Sequence, residues 1–493
     1  MQQLVIMKGM NKLLLHIVFS LSFLVSTNLS AQIEAPEFLC VKSDTLFWNL
    51  PVNTCGPFVA YNVYASDNIS GPYFLLGSVT DPTSTSFFHD NAGNQTWYYY
   101  LESDFDCPGE PVLSSVILDN LSPEASPILV ANVVNNIVQI EWQPSPSPEV
   151  IAYIIYRVTD IGTIPIDTVY SGNTYSDLSS NPNSQAENYY VIGLDACGNT
   201  SLLESPHQTV FVNGEVSVCE QLVDLTWNLY EGWNSGIEKQ ELWLQANGST
   251  ATLEATLGSD ETAFTFENLD DGITYCFQIL SYQNGSSVFS NSNQFCFTAS
   301  IVQPVRNLVL KNATVAPNND ITITWQWDTD AEINTTQVLQ STSGNNGFNL
   351  VESFPPNLPL VLENTYNDVA SFPQDGPVSF QVHTIDNCDS LAISNSVTTV
   401  FLTGTADGNL NNLLSWTSYE TTIGTVNAYE LFRLDGSGEQ SIALFNANEF
   451  DYKDPVDPMI QSEANVCYYV VAEVLVDLPD GTQELVYSRS NVV

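Results

Sequence analysis

Apolar and polar residues alternate with a period of two over short runs, and Gly, Asn, Asp, Ser and Pro interrupt those runs. Beyond residue 31 no stretch sustains the 3.6-residue period of an amphipathic helix. Alternating runs spaced about 8–12 residues apart predict an all-β chain of sandwich type.

The pattern repeats five times. A strand ends in Trp at Leu46-Phe47-Trp48, Ile140-Glu141-Trp142, Leu225-Thr226-Trp227, Ile323-Thr324-Trp325 and Leu414-Ser415-Trp416. The Trp-to-Trp spacings are 94, 85, 98 and 91. A second strand follows each Trp, as in Tyr61-Asn62-Val63-Tyr64 and Tyr429-Glu430-Leu431-Phe432. A third closes each unit: Tyr99-Tyr100-Leu101, Tyr189-Tyr190-Val191, Tyr275-Cys276-Phe277, Phe380-Gln381-Val382 and Tyr468-Tyr469-Val470. Each Trp is expected in the space between two sheets, and each third-strand aromatic at an inward corner. In Leu269-Asp270-Asp271-Gly272-Ile273-Thr274-Tyr275 the Tyr hydroxyl is expected to reach backbone upstream.

The first 31 residues read as a secretory signal peptide. Lys8 and Lys12 precede the apolar run Leu13 to Val25, and Ala31 precedes Gln32 as the expected mature start. That run is shorter than the roughly 20 residues a membrane span needs. Five units share the remaining residues at 32–121, 122–213, 214–300, 301–402 and 403–493, about 92 residues each, the size of a seven-stranded sandwich.

These marks resemble a tandem array of fibronectin type III domains: Trp on the second strand, Tyr-x-Val-Tyr on the third, and Leu…Gly-x-x-Tyr leading into the sixth. Unit 4 departs from them, with Phe380 and Leu339 in aromatic positions. A finer resemblance is to exported surface proteins of gliding Bacteroidota. It is carried by Leu194-Asp195-Ala196-Cys197-Gly198-Asn199-Thr200-Ser201, by Trp227 to Trp233, and by Cys55-Gly56-Pro57-Phe58 with Cys107-Pro108-Gly109. It implies an exported, cell-surface or outer-membrane-associated protein, and no known ligand.

Composition narrows the partners. Ten Lys and Arg stand against 56 Asp and Glu, for a formal net charge of −46. Phosphate recognition and basic docking on anionic membranes are excluded. With 44% hydrophobic residues the chain is nevertheless built to fold. The expected partners are proteins or glycans at the cell exterior.

Nine Cys in an exported chain point to disulfides. Cys276 alternates with inward Tyr275 and Phe277, so it faces outward, and a hairpin centred near Ser286 places it opposite Cys296. Cys55 and Cys107 lie in loops at one end of a sandwich and form a second expected pair. Cys197 and Cys219 are a candidate link between units 2 and 3, and Cys40, Cys388 and Cys467 find no clear partner. Cys467 beside Tyr468 echoes Cys276 beside Tyr275, and the chain stops about where a partner Cys is expected. A longer protein with a further C-terminal module is therefore an expectation.

No catalytic constellation appears. His89, His207 and His383 fall in different units, and neither Gly-x-Ser-x-Gly nor His-Glu-x-x-His occurs. No cofactor is expected. Calcium is a candidate at Asp328-Thr329-Asp330-Ala331-Glu332 and at Asp260 with Glu261. Tyr64, Tyr98 and Tyr100 face outward on neighbouring strands and form a candidate aromatic platform for a sugar or a partner. Tyr156 with Tyr190 and Phe432 with Tyr469 repeat the arrangement.

The expected function is therefore a stalk, spacer or adhesin segment of an exported surface protein. The alternative is the carbohydrate-binding accessory region of a secreted polysaccharide-degrading enzyme. Five sandwiches end to end, at roughly 30 Å for a nine-residue strand, would reach on the order of 150 Å.

Overall fold

The computed structural model describes residues 33–493 apart from 54, 343–346, 356–362, 370–372 and 457–465. The signal-peptide stretch lies outside the described residues. Within them the chain forms antiparallel sheets that stack in pairs, with no α-helix. Sandwich 1 sets the plan. Strands β1 (Glu37–Lys42), β2 (Thr45–Asn49) and β5 (Ser86–Phe88) form one sheet in the order β1-β2-β5. Strands β3 (Phe58–Ser66), β4 (Phe74–Val79), β6 (Tyr98–Phe105) and β7 (Leu118–Asp119) form the other, ordered β4-β3-β6-β7. This three-on-four order recurs in every sandwich. In sandwich 4 the four-stranded sheet gains further strands.

Period-two alternation explains each core. In β3 and its counterparts every second side chain turns inward, as Tyr61 and Val63 do. Trp48, Trp142, Trp227, Trp325 and Trp416 are all buried, and each sits opposite a residue of its own first strand. Full burial of one such ring contributes on the order of 2–3 kcal/mol. The indole N–H groups divide the five. Trp227 Nε1 donates to Gln240 Oε1 at 3.0 Å, and the Gln240 amide donates to the carbonyls of Gly258 and Glu261. Trp48, Trp142, Trp325 and Trp416 have no partner for Nε1 among the described residues.

The corner aromatics are buried as well, but their hydroxyls go to different places. Tyr275 accepts from the backbone N–H of Asp270, upstream on its own loop. Tyr99 meets His89 Nδ1 at 2.8 Å. Tyr189 donates to Asp177 Oδ2 and Tyr468 to Asp454 Oδ2. Phe380 packs without a hydroxyl, at 0% exposure.

A serine recurs beside the sixth strand in all five sandwiches. The Oγ atoms of Ser115, Ser201, Ser292, Ser394 and Ser490 accept the backbone N–H of Leu101, Gly193, Ile279, Val382 and Val470, at 2.9–3.0 Å. A hydroxyl thus replaces one backbone rung. In sandwiches 3 to 5 an Asn follows. Asn293, Asn395 and Asn491 each bridge both backbone groups of one first-strand residue, Val212, Leu310 and Leu402 respectively.

Candidate functional site

The cysteines define two kinds of bond. Cys276 and Cys296 oppose each other in register, Cα to Cα 4.1 Å, and are bonded on the outer face of sandwich 3. Cys55 is bonded to Cys107 between loops of sandwich 1, with Cα atoms 5.9 Å apart. The other two bonds join sandwiches. Cys40 of sandwich 1 is bonded to Cys197 of sandwich 2, and Cys219 of sandwich 3 to Cys388 of sandwich 4.

This corrects the expected Cys197–Cys219 link, and it gives Cys40 and Cys388 partners. The reason is the geometry of a sandwich. Cys197 lies in the hairpin after the sixth strand, and Cys219 in the turn between the first and second strands of the next unit. Those loops sit at opposite poles, so Cys197 faces back to sandwich 1 and Cys219 faces forward to sandwich 4. Cys467 is half-buried and unbonded.

Both bridging hairpins are built alike. Asp195 Oδ1 accepts the backbone N–H of Cys197 and of Asn199, and Asp386 Oδ1 accepts those of Cys388 and Ser390. Each carboxylate holds its Cys in a tight turn that presents the sulfur. At the first joint Lys42 Nζ also donates to the Cys197 carbonyl, and Asn199 Nδ2 to that of Val41.

The remaining joints are packed rather than bridged. Between sandwiches 2 and 3, the strand Ile128–Val134 lies against the strand Phe289–Thr298. Tyr230 takes the Ala131 N–H at 2.8 Å and stacks on Trp233, with ring centroids 3.8 Å apart. Trp233 Nε1 donates to the Leu129 carbonyl, and Ser290 Oγ to the Ala131 carbonyl. Between sandwiches 4 and 5 the strand Val309–Val315 lies against Gln483–Arg489 in the same way. Ser488 Oγ donates to the Ala313 carbonyl and Tyr419 to Asn312 Oδ1. Here the apolar core is continuous across the joint, and Val397–Thr398 pair in register with Glu420–Thr421. At these two joints one sandwich leans against the side of its neighbour, so the end-to-end estimate of length overstates the array.

The joints enclose clefts. One of about 800 Å³ between sandwiches 2 and 3 is lined by Leu129, Leu203, His207, Trp233 and Gln283. One of about 420 Å³ between sandwiches 4 and 5 is lined by Lys311, Trp327, Asp480 and Glu484. His207 is buried against Tyr230, its Nδ1 2.7 Å from the hydroxyl. Burial pushes its imidazole down to about 4, against the opposing pull of the Gly232 carbonyl.

All eight basic residues beyond residue 31 are engaged. Arg157 pairs with Asp177, Lys239 with Glu241, Lys311 with Glu484, Arg433 with Asp435 and Asp454, and Lys453 with Asp407. Lys42 serves the first joint. Arg306 donates to Gln303. Arg489 reaches the Val315 carbonyl and lies 4.1 Å from the Tyr469 ring centre. So few cations, all held, leave the acidic surface uncompensated.

The candidate aromatic platform is only partly assembled. Tyr64 and Tyr100 stack at 4.7 Å and 13°, so each gives one face to the other. Tyr98 opposes Ser66 instead. Tyr73, which sequence reasoning missed, sets its edge against Tyr100 at 5.0 Å. Phe432 and Tyr469 stack at 4.9 Å beneath Arg489, and Tyr156 opposes Tyr190 in register.

Of the calcium candidates, Asp328 is engaged by other partners. Asp328 accepts the backbone N–H groups of Arg306 and Asn307 and the Asn307 amide. Those donors leave its carboxylate little room for a cation. Among the described residues no three His, Cys, Asp or Glu side chains stand close enough to hold a metal ion, at Asp330, Glu332, Asp260 and Glu261 included. No helix among them is long and apolar enough to cross a membrane.

No family model matches the chain, and no curated protein matches it. Among solved structures, the FN1–FN3 domains of chicken CNTN1 are 14% identical. The match covers 57% of this chain and 96% of that one, with a TM-score of 0.21. A two-domain fibronectin type III segment from chicken tenascin is 12% identical, covering 38% of this chain and 94% of that one, with a TM-score of 0.19. It is the three-on-four strand order, repeated along the chain, that makes the fold a tandem array of fibronectin type III-like sandwiches.

Proposed function

We propose that the chain is a non-catalytic stalk or spacer of the cell exterior, a segment of an exported surface protein that carries or presents an adhesive module. The finer form of this reading is a gliding-motility-associated surface protein. One observation carries it: every joint between sandwiches is closed, by a disulfide or by packed strands, so the array holds its shape. Interdomain disulfides suit an oxidising exterior. The acidic surface favours solubility and keeps neighbouring copies apart. The test is protease shaving of intact cells that express the epitope-tagged protein. Release of tagged fragments supports the reading. Retention of the whole protein inside unbroken cells refutes it.

A second reading has its own observation, the Tyr64–Tyr100–Tyr73 cluster on the outer face of sandwich 1. As a carbohydrate-binding accessory region, the chain would bind a glycan through these rings. Glycan-array binding that disappears in Tyr100→Ala with unchanged melting would favour it.

A further inference from the structure

We propose that the two interdomain disulfides are a load shunt, taking most of each of the first four sandwiches, all but terminal strands, out of the path along which tension passes through the chain. The proposal rests on the stalk reading and gives that stalk a mechanical property.

The argument is one of connectivity. Cys40–Cys197 closes a loop of sequence separation 157, and Cys219–Cys388 one of 169. The first loop holds β2 to β7 of sandwich 1 and the first six strands of sandwich 2. The second holds sandwich 3 from its second strand onward and sandwich 4 through its sixth. The loops do not overlap; they follow each other along the chain. Tension applied at Ile33 and Val493 therefore runs to Cys40, crosses to Cys197, and continues to Cys219. It then crosses to Cys388 and enters sandwich 5.

Hydrogen bonds and packing hold a sandwich shut, with one internal disulfide each in sandwiches 1 and 3, whereas the shunt itself is covalent, so the part of a sandwich inside a loop can open without lengthening the tether. A cross-link excludes the extended conformations of the loop it closes. The path that bears load is roughly 130 of the roughly 460 residues between the two ends, or about 460 Å fully extended against about 1,500 Å for the unbridged chain.

The recurrence of the arrangement argues for design at the joints. Both bridging Cys sit in Asp-capped hairpins, Asp195 for Cys197 and Asp386 for Cys388. Both loops enclose the same number of sandwiches. The other two bonds, Cys55–Cys107 and Cys276–Cys296, lie inside the loops and carry no load.

Single-molecule stretching of the oxidised chain, attached at Ile33 and Val493, tests this. The expected total contour length is about 460 Å. Cys219→Ala with Cys388→Ala adds about 490 Å, because Cys276–Cys296 still withholds 20 of the 169 residues. Cys40→Ala with Cys197→Ala adds about 350 Å, because Cys55–Cys107 withholds 52 of the 157. Cys276→Ala with Cys296→Ala changes nothing, which separates loss of the shunt from loss of any disulfide. An oxidised wild-type length near 1,500 Å, or a lengthening in the Cys276/Cys296 variant, overturns the shunt. The lengths are independent of where the cell puts the protein, so failure of the shaving experiment would leave this result standing.

Discussion

The backbone N–H of Ala131 donates to the hydroxyl oxygen of Tyr230 across the joint between sandwiches 2 and 3. The same relationship recurs between sandwiches 4 and 5, where Tyr419 takes its place beside Ala313 and Asn312. Tyr230 also faces His207 Nδ1, so one hydroxyl satisfies a donor and an acceptor that are both buried. Tyr230→Phe is expected to cost about 1–3 kcal/mol in urea denaturation, because both groups lose their partner in the interior. Tyr419→Phe should cost a similar amount, and the two should add, since the joints share no residues. A loss under about 0.5 kcal/mol would show that the hydroxyl is not what holds the joint.

Gly232 closes the same cluster. Its φ is +112°, and a Cβ there would stand 2.2 Å from the His207 ring. Gly232→Ala is expected to displace His207 or the loop itself. Trp233 fluorescence should report this as a red shift from increased exposure.

Acid should loosen the joint at His207. Its folded-state pKa of about 4 lies below the usual 6.5, so the folded state resists protonation. The stabilisation is whole above pH 6.5 and is lost as pH falls from there towards 4. The full difference is on the order of 3 kcal/mol. Melting temperatures of wild type and His207→Gln, measured from pH 7 to pH 4.5, should converge with acid. Parallel curves would assign the acid sensitivity elsewhere.

Asp177 works in the opposite sense. Burial acts to raise its carboxyl, but donors from Ser179 and Tyr189 and the charge of Arg157 outweigh that and hold it low. Its contribution is present above the ordinary carboxylate range and is lost as pH falls through its lowered pKa. Arg157→Met leaves a carboxylate at 1% exposure without its cation. A loss of about 3 kcal/mol in sandwich 2 is expected from denaturant unfolding. Arg433 and Asp454 repeat the pair beneath Tyr468.

The five core tryptophans should not respond alike. Trp227→Phe removes an indole N–H that Gln240 accepts, whereas Trp142→Phe removes one with no partner among the described residues. The first is expected to cost about 1 kcal/mol more than the second. Gln240→Leu, which also strips donors from Gly258 and Glu261, should cost about 2–3 kcal/mol. Equal losses in the two Trp variants would show that only ring volume matters.

Local geometry was legible where it depends on strand period alone. Alternation at Tyr275-Cys276-Phe277 puts Cys276 outward, and the structure sets it opposite Cys296. Tyr64 and Tyr100 face the same side for the same reason. The recurring Ser that caps a backbone N–H of each sixth strand was open to view but passed unnoticed, since its spacing from that strand varies from unit to unit. Tyr73 was missed because a loop brings it to Tyr100, and loops carry no period.

From the sequence alone came the all-β class, the fivefold repeat, the buried Trp positions and the excess of acid. All of these follow from composition and from contacts within about ten residues of strand. The pairing of Cys40 with Cys197 and of Cys219 with Cys388 came only from the tertiary structure. So did the alternation of bridged and packed joints, and the neutral His207 beneath Tyr230. Each depends on which pole of one sandwich meets which side of the next. That choice is made by surfaces joined through contacts 99 to 169 residues apart along the chain, a distance at which period-two patterning carries no information.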